Sequence, residues 1–421
     1  MNPGRNPAAL DPVEAIVAVN RGRDPHLLSR KFEAMATDAF AFLRASAGLA
    51  HASLDLAALP QAPVGWVCGD MHLNNFGCFR GLNRLVYFDL NDFDEAARLP
   101  LAVDLLRLLG SILTATRAFA LTRQQALELA AVALHHYAEA LARGKAFWLE
   151  PQTARGAIRA LLEQVSCRRR RDLLVRHTEV IMGRRQVRSG DARIPPLAHD
   201  SPWRSLLTGA LASLGELYES REFFLPRDFA RRIAGMGSLG LPRYVALVRG
   251  RADPDRNALI DFKLAAPSSA VQALPQFEQP AWADEAQRVV DVQDICEAAC
   301  PAYLTALLLG GRSFVVRELQ PVEDRIALDQ LARRPKRFAD TLASMAEVAA
   351  YAHLRAAGRL GAASPDAMIE FGFELMAEPG PWIDAAREVD ANNARAQRTF
   401  RAAWRLRDPR LVELCGQPQG G

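Results

Sequence analysis

The feature that most constrains this chain is the uneven placement of its strand-forming residues. Between residues 226 and 320 lie the β-branched and aromatic runs Phe229–Ala234, Arg243–Arg249, Ala258–Leu264 and Ser313–Leu319, separated by Gly-rich and polar turns. A helical stretch at about 282–299 divides the third run from the fourth. Such runs, bounded by Gly, Pro, Asn and Asp, read as an antiparallel meander. Elsewhere the apolar residues recur at helical spacing, notably over 29–47, 101–120, 123–143, 337–357 and 381–405. The pattern predicts an α+β protein. A small β-rich unit spans 226–320, flanked on both sides by helical regions over 29–225 and 321–421. Residues 1–28, which contain Pro and Arg, are expected to be loosely ordered.

Composition narrows the function classes. The 421 residues are 50% hydrophobic and 24% charged, which is ordinary for globular cores. A formal net charge of +4 is too mild to imply nucleic acid as a partner. No pair of the six cysteines has zinc-finger spacing, and Cys296 and Cys300 read as buried thiols. The apolar helix from Leu101 to about Leu121 carries Asp104, Arg107 and Arg117, so it reads as buried rather than membrane-spanning. Without a signal-like N-terminus, a cytoplasmic protein with no membrane partner is expected.

Two motifs carry chemistry. Residues 68–96 set Asp70, His72, Asn74 and Asn75 before a short apolar run, Leu85–Phe88, and Asp89, Asn91, Asp92, Asp94 and Glu95 after it. This reads as a hairpin with oxygen ligands at both ends, suited to a hard cation. The second motif, Gly235-Met-Gly237-Ser238-Leu-Gly240, is G-x-G-x-x-G. A dinucleotide fold needs a helix to begin inside it. Here Leu241-Pro242 and a strand-like run follow, which fits a flap whose backbone N–H groups approach phosphates. Lys263, on a later strand, stands where such a flap needs a phosphate-holding lysine.

Gly69-Asp70-Met-His72-Leu-Asn-Asn75 resembles the G-D-x-H-x-x-N signature of aminoglycoside phosphotransferases and related small-molecule kinases. Their metal-binding Asp follows about nineteen residues later, the spacing of Asp70 and Asp89. The resemblance implies a kinase-like two-lobe fold using ATP and Mg²⁺, with a small antiparallel-sheet lobe at 226–320 and a larger, mainly helical lobe that combines 29–225 with 321–421. Asp70 would be the catalytic base, and Asn75 and Asp89 the metal ligands. Gly235, Gly237, Ser238, Gly240 and Lys263 would hold the nucleotide. Pro100 and Asp104 match the pattern whose Asp buttresses the catalytic loop, and His72 and Asp92 are supporting candidates. The acidic partner of Lys263 is left among Glu285, Asp291 and Glu297.

Over nearly its full length the chain also resembles the bacterial domain-of-unknown-function family 2252. That rests on Lys31-Phe-Glu-Ala-Met35, Phe40-Ala-Phe42-Leu-Arg44, Gly69-Asp70-x-His72-Leu-x-Asn75-Phe-Gly77, Phe88-Asp89-Leu-Asn91-Asp92-Phe-Asp94-Glu95, the Gly235–Gly240 turn, and Gln287-Arg-Val-Val290 with Gln293. Kinases run Gly loop, lysine, helix, hinge strand, helix, catalytic loop, metal Asp. Here the Gly loop follows the catalytic loop by about 165 residues. A circular permutation, broken between the helix at 337–357 and the catalytic loop, explains the order. Cys68 replaces the usual histidine, Asp89-Leu90 lacks the following Gly, and Pro242 replaces a Val.

Other readings stay open. Nucleotidyl transfer shares the same parts. A metal-dependent hydrolase could use Asp70, His72, Asp89, Asp92 and Asp94. A catalytically inactive, kinase-like nucleotide-binding protein is a third. Asp92, Asp94 and Glu95 also suit a cap of the helix that follows. The basic stretch from Cys167 to about Ile194 is either a solvated surface or a site for phosphate or an acidic substrate. No motif names the acceptor, a small molecule or a protein.

Overall fold

The computed structural model describes residues 10–119, 121–321 and 324–416. It opens with α1 (Pro12–Asn20) and α2 (Pro25–Thr37). Each begins at an Asp-Pro pair. Asp11 and Asp24 accept first-turn backbone N–H groups, and a proline at the first helical position has no N–H to satisfy. The expectation of loose order through residue 28 is therefore corrected from residue 12 onward, while residues 1–9 lie outside the described residues. Then come α3 (Ala39–Ala45), α4 (Ala47–Ala52), β1 (Val64–Val67), β2 (Phe76–Arg80), β3 (Val86–Leu90) and β4 (Ala97–Pro100). β2 and β3 form an antiparallel hairpin, Phe76 opposite Leu90, and β1 pairs with β4. Next are α5 (Ala102–Ala118), α6 (Arg123–Ala142), α7 (Gly156–Cys167), α8 (Arg170–His177), the small hairpin β5 (Thr178–Ile181) and β6 (Arg184–Val187), and α9 (Pro202–Leu217).

The main sheet takes β7 (Pro226–Arg231), β8 (Arg243–Val248) and β9 (Ala258–Leu264). After α10 (Ser269–Ala273) and α11 (Glu285–Cys296) it is completed by β10 (Thr305–Leu309) and β11 (Arg312–Glu318). The order is β10-β11-β9-β8-β7, with every neighbouring pair antiparallel. Side chains alternate between the faces. Tyr244, Ile260, Phe262, Phe314 and Val316 pack with Leu207, Leu211 and Leu214 of α9. Each such fully buried large side chain contributes about 1.5–3 kcal/mol. The opposite face is split. Arg243 lies opposite Lys263, and Asp261 lies between Val245 and Arg317. Farther along, Leu247, Leu259 and Leu319 are covered by Leu174, Val187 and Ile194 from the α8–β6 region.

The chain ends with α12 (Leu328–Ala332), α13 (Pro335–Ala356), α14 (Pro365–Ala377), α15 (Gly380–Arg405) and α16 (Pro409–Leu414). α13 and α14 pack on α6, joining a core that reaches Phe76 and Phe88 of the hairpin. The segment after α13 returns to β1: Ala363 N–H donates to the Val64 carbonyl at 2.8 Å, and Trp66 Nε1 donates to the Arg359 carbonyl at 3.0 Å. The ends of the described chain also meet, for α1 packs on α16 and Arg410 pairs with Asp11 at 2.6 Å. No described helix is long and apolar enough to cross a membrane.

Candidate functional site

The loop from Cys68 to Asn75 connects β1 to β2 and is fixed from beneath. Gly69 has φ +80°, and a Cβ there would run into the Glu95 carbonyl, so only glycine fits. Asp104, fully buried in the first turn of α5, accepts the backbone N–H groups of Cys68 (2.8 Å) and Gly69 (3.0 Å). His353 Nε2 lies 3.3 Å from the same carboxylate, and its Nδ1 is 2.8 Å from the Tyr137 hydroxyl. His72 accepts the Asn74 N–H at 3.1 Å. Burial pushes His72 down to about 3 against the pull of Asp70, so it is neutral near pH 7. Asn75 is buried, and its amide donates to the backbone carbonyls of Asp92 (3.0 Å) and Asp70 (3.3 Å). Asp70 accepts Arg107 Nε at 2.8 Å and keeps its side chain 19% exposed, open to a cleft.

Lys263 meets the hairpin exit directly. Its Nζ lies 2.9 Å from Asp92 and 2.6 Å from Asp94. The expectation that a carboxylate of the following helix pairs with Lys263 is corrected. Glu285 holds Arg288 at 2.7 Å, Asp291 accepts Gln287 at 2.5 Å, and Glu297 accepts Gln293 at 2.9 Å. The loop after β3 runs beneath β9 and supplies the acid instead. Burial pushes both Asp92 and Asp94 upward. Lys263 overcomes this at Asp92 and holds it below the ordinary range, whereas Asp94, also facing Asp92, is pushed up to about 6.

Asp89 is corrected too. It does not line the cleft, as a metal ligand would. It is 3% exposed, pairs with Arg355 of α13 at 2.7 Å, and accepts the Leu90 N–H at 3.0 Å. Burial raises it despite Arg355, and its charge adds to the burial that raises Glu297 well above the ordinary range. Glu95 is a cap, though not of α5: it accepts the backbone N–H groups of Ser269 (2.5 Å) and Ala270 (3.2 Å) at the start of α10.

The Gly235–Gly240 turn, between β7 and β8, faces these carboxylates. Asp70, Asn75, Asp92 and Asp94 form one wall of a cleft of about 340 Å³, and Gly235, Gly237 and Ser238 form another. Gly240 and Lys263 stand just behind it. Sequence reasoning missed what holds the turn. Arg23 donates to the Gly237 (2.5 Å) and Leu239 (3.1 Å) carbonyls, and Lys31, 1% exposed, donates to Gly237 at 2.9 Å and to Asn20 at 2.8 Å. The Asp24 N–H bonds the Gly240 carbonyl at 3.0 Å. Arg44 and Arg325 add charge to the rim. The signals for any of these were Lys31-Phe-Glu-Ala-Met35 and Phe40-Ala-Phe42-Leu-Arg44, which mark a family and assign no role.

The chemistry of this donor set suits a polyphosphate with a hard cation. The Nε groups of Arg23 and Arg44 are buried without a hydrogen-bond partner among the described residues, and guanidinium groups match phosphate oxygens. Burial drives Lys31 well below the ordinary lysine range, with Arg23 adding to it, so an anion nearby would relieve both cations. Among the described residues no group of three His, Cys, Asp or Glu side chains is placed to hold a metal alone. Mg²⁺ commonly uses one or two carboxylates, waters and substrate phosphates, and Asp92 with Asn75 offers that smaller share.

The model of a family described as uncharacterized protein conserved in bacteria, DUF2252, matches residues 23–398. The chain belongs to this family. The DUF2252 match begins at the arginine that holds the Gly turn and takes in the Gly69–Asn75 loop, the hairpin and Lys263. Comparison with curated proteins and with solved structures gave no significant match.

Proposed function

We propose that this DUF2252 chain is a kinase-like phosphotransferase, built in circularly permuted order, that moves a phosphoryl group from a Mg²⁺-bound nucleoside triphosphate to an acceptor hydroxyl. One observation carries the reading. The Gly turn shares a cleft with Asp70, Asn75 and Asp92, and Lys263 holds Asp92 from behind it at 2.9 Å, although 165 residues separate Asp70 from Gly235. The return of the segment after α13 to β1 supports the permutation, since an unpermuted kinase runs from that helix directly into the catalytic loop.

Asp70 orients the acceptor hydroxyl and takes its proton, while Arg107 fixes the carboxylate. Asn75 and Asp92 would hold Mg²⁺, so the metal role expected of Asp89 passes to Asp92. The bound ion would neutralise charge on the phosphates. Lys263 shifts from the Asp92–Asp94 pair toward a phosphate oxygen, and the Gly turn offers backbone N–H groups. Arg44 and Arg325 spread the remaining charge.

Thermal shift with ATP, with and without Mg²⁺, tests this. A ligand at a hundred times its Kd stabilises the native state by about 2.7 kcal/mol. Asp92→Asn should lose the Mg²⁺-dependent part, and Asp89→Asn should keep it on a less stable fold. Equal Mg·ATP binding by wild type and Asp92→Asn, or no Mg²⁺-dependent shift in wild type, would sink the proposal. Binding without turnover on any acceptor or on water would leave the nucleotide site and favour the inactive reading.

A further inference from the structure

A second cavity, of about 400 Å³, lies between hairpin β2–β3, the start of α8 and the turn joining β8 to β9. It shares none of its wall with the cleft described above. Its size suits a small molecule. Arginines dominate it: Arg80 and Arg84 come from the hairpin, Arg168, Arg169 and Arg170 from the approach to α8, and Arg251 and Arg256 from the β8–β9 turn. Only Asp255, Glu318 and Asp324 oppose them.

The carboxylates are already engaged. Glu318 is shared by Arg84 (2.8 Å) and Arg170 (3.0 Å), Asp324 pairs with Arg168, and Asp255 pairs with Arg185, outside the wall, at 3.1 Å. Arg80 spends its guanidinium on backbone carbonyls, including Val165 at 2.6 Å and Arg84 at 3.1 Å, so it is a fixed positive floor. Arg169, Arg251 and Arg256 have no carboxylate within ion-pair distance among the described residues. Burial holds Arg170 below the ordinary arginine range, and the nearby charges of Arg84 and Arg251 add to this against Glu318. Clustered guanidinium groups with no counter-charge are unfavourable unless an anion joins them. Beside them Phe79, Leu173, Leu319 and Pro321 give an apolar wall.

We propose that this cavity is a binding site for a small phosphorylated organic molecule. Its phosphate groups bridge Arg169, Arg251 and Arg256 over the fixed Arg80, and its carbon skeleton lies on the Phe79–Leu173–Leu319 wall. Two or more phosphate charges match the uncompensated guanidinium groups, which bind phosphate oxygens in bidentate fashion. The cavity has room for one small molecule, whereas an RNA strand needs a continuous basic track.

Isothermal titration with inorganic pyrophosphate, in EDTA and at constant ionic strength, tests the site on the full chain. Wild type should bind saturably. The triple variant Arg169→Ala, Arg251→Ala, Arg256→Ala should bind about tenfold more weakly or worse, the loss of charge-assisted bonds worth 1.4 kcal/mol or more. EDTA removes the Mg²⁺ that a polyphosphate in the cleft would need, so the cleft variant Arg44→Ala, Arg325→Ala should keep the saturable binding that the triple variant loses. All three substituted side chains in the triple variant are exposed, so its melting temperature without ligand should match wild type. Should it fail to fold, Arg251→Ala alone must still weaken binding. No binding by wild type, an unchanged affinity in the triple variant, or a loss confined to the cleft variant overturns the proposal. So does a single-stranded RNA that binds wild type while pyrophosphate does not.

Discussion

Asp70 meets two demands at once, held by Arg107 at 2.8 Å yet open to the cleft. Under the proposed function, a carboxylate fixed this way serves as the base rather than as a ligand for nucleotide. Asp70→Asn should therefore retain Mg·ATP binding and slow phosphoryl transfer by about 10²–10⁴-fold. Wild-type turnover in that variant, measured on the acceptor or as slow ATP hydrolysis, would remove the role. His72 beside it gives a pH prediction. Its folded value, about 3, lies below the ordinary 6.5, so the unfolded state binds more protons between them. The stability held by neutral His72 is thus full above pH 6.5 and is lost as pH falls toward 3. Asp70, Arg44, Arg107 and Arg325 face the ring, with only Asp70 favouring its charge. His72→Asn keeps an acceptor for the Asn74 N–H. Urea titrations from pH 6 to 4.5 should show a flatter acid loss in that variant, by up to about 1.4 kcal/mol per pH unit. An unchanged slope would mean that His72 titrates normally. At this scale, spacing made legible that Asp70 and Asn75 belong to one loop. It did not separate Asp89 from Asp92, because spacing places a carboxylate near a strand end without showing what packs on it. Arg355, distant in sequence, takes Asp89, and Lys263 takes Asp92.

At the scale of elements, hairpin β2–β3 is anchored to the helical body through this same Asp89. Arg355 Nη2 holds it at 2.7 Å, and Arg355 Nε donates to the Cys296 carbonyl at 2.6 Å, so one side chain ties β3, α11 and α13 together. Arg355→Met removes the cation and leaves Asp89 buried beside Glu297. Breaking a buried pair from one side costs about 3–5 kcal/mol, more than a surface pair by severalfold. Denaturant unfolding should show a loss of that order, and a loss under 1 kcal/mol would mean that Asp89 is protonated or solvated without Arg355. The hairpin and β7–β9 were readable because apolar runs alternate with turn residues. β10, Thr305–Leu309, was missed, since Ala306-Leu-Leu-Leu309 lacks the β-branched signal and fits a helix equally well. The β5–β6 hairpin was missed as well: Thr178–Ile181 and Arg184–Val187 are half exposed and carry charge, so no buried stripe shows in the sequence.

For the whole molecule, the described chain ends where a permuted protein should tolerate joining. α1 packs on α16, Arg410 reaches Asp11 at 2.6 Å, and Gly416 lies beside Pro25. The mixed α+β character of the chain was legible, as a β-rich block between helical regions. The closure of its ends was not, because α1 and α16 are short and their contact joins opposite ends of the sequence. A rearranged chain follows from this. Residue 416 is joined to residue 10 through about ten Gly and Ser residues, which reach roughly 30 Å, and the chain is opened between Ser220 and Arg221. Both flanking residues are exposed, in the link between α9 and β7. The new order is Gly turn, Lys263, α11, β11, α13, then the Asp70 loop and Asp92, the sequence of parts in an unpermuted kinase. Nothing in the cores is altered, since cutting an exposed turn breaks few contacts and the linker spans neighbouring ends. The rearranged protein should melt within about 5 °C of wild type, equivalent to about 4 kcal/mol in a chain this long. Its Mg²⁺-dependent response to ATP should match that of wild type, because Asp92, Asn75, Lys263 and the Gly turn keep their places. Circular dichroism melts and titration with ATP read the two outcomes separately. A chain that fails to fold would show that the continuity of α9 with β7 holds the two parts together, and the permuted kinase-like reading would lose its structural basis. A chain that folds with an altered Mg·ATP response would place the nucleotide outside the cleft between Asp92 and the Gly turn.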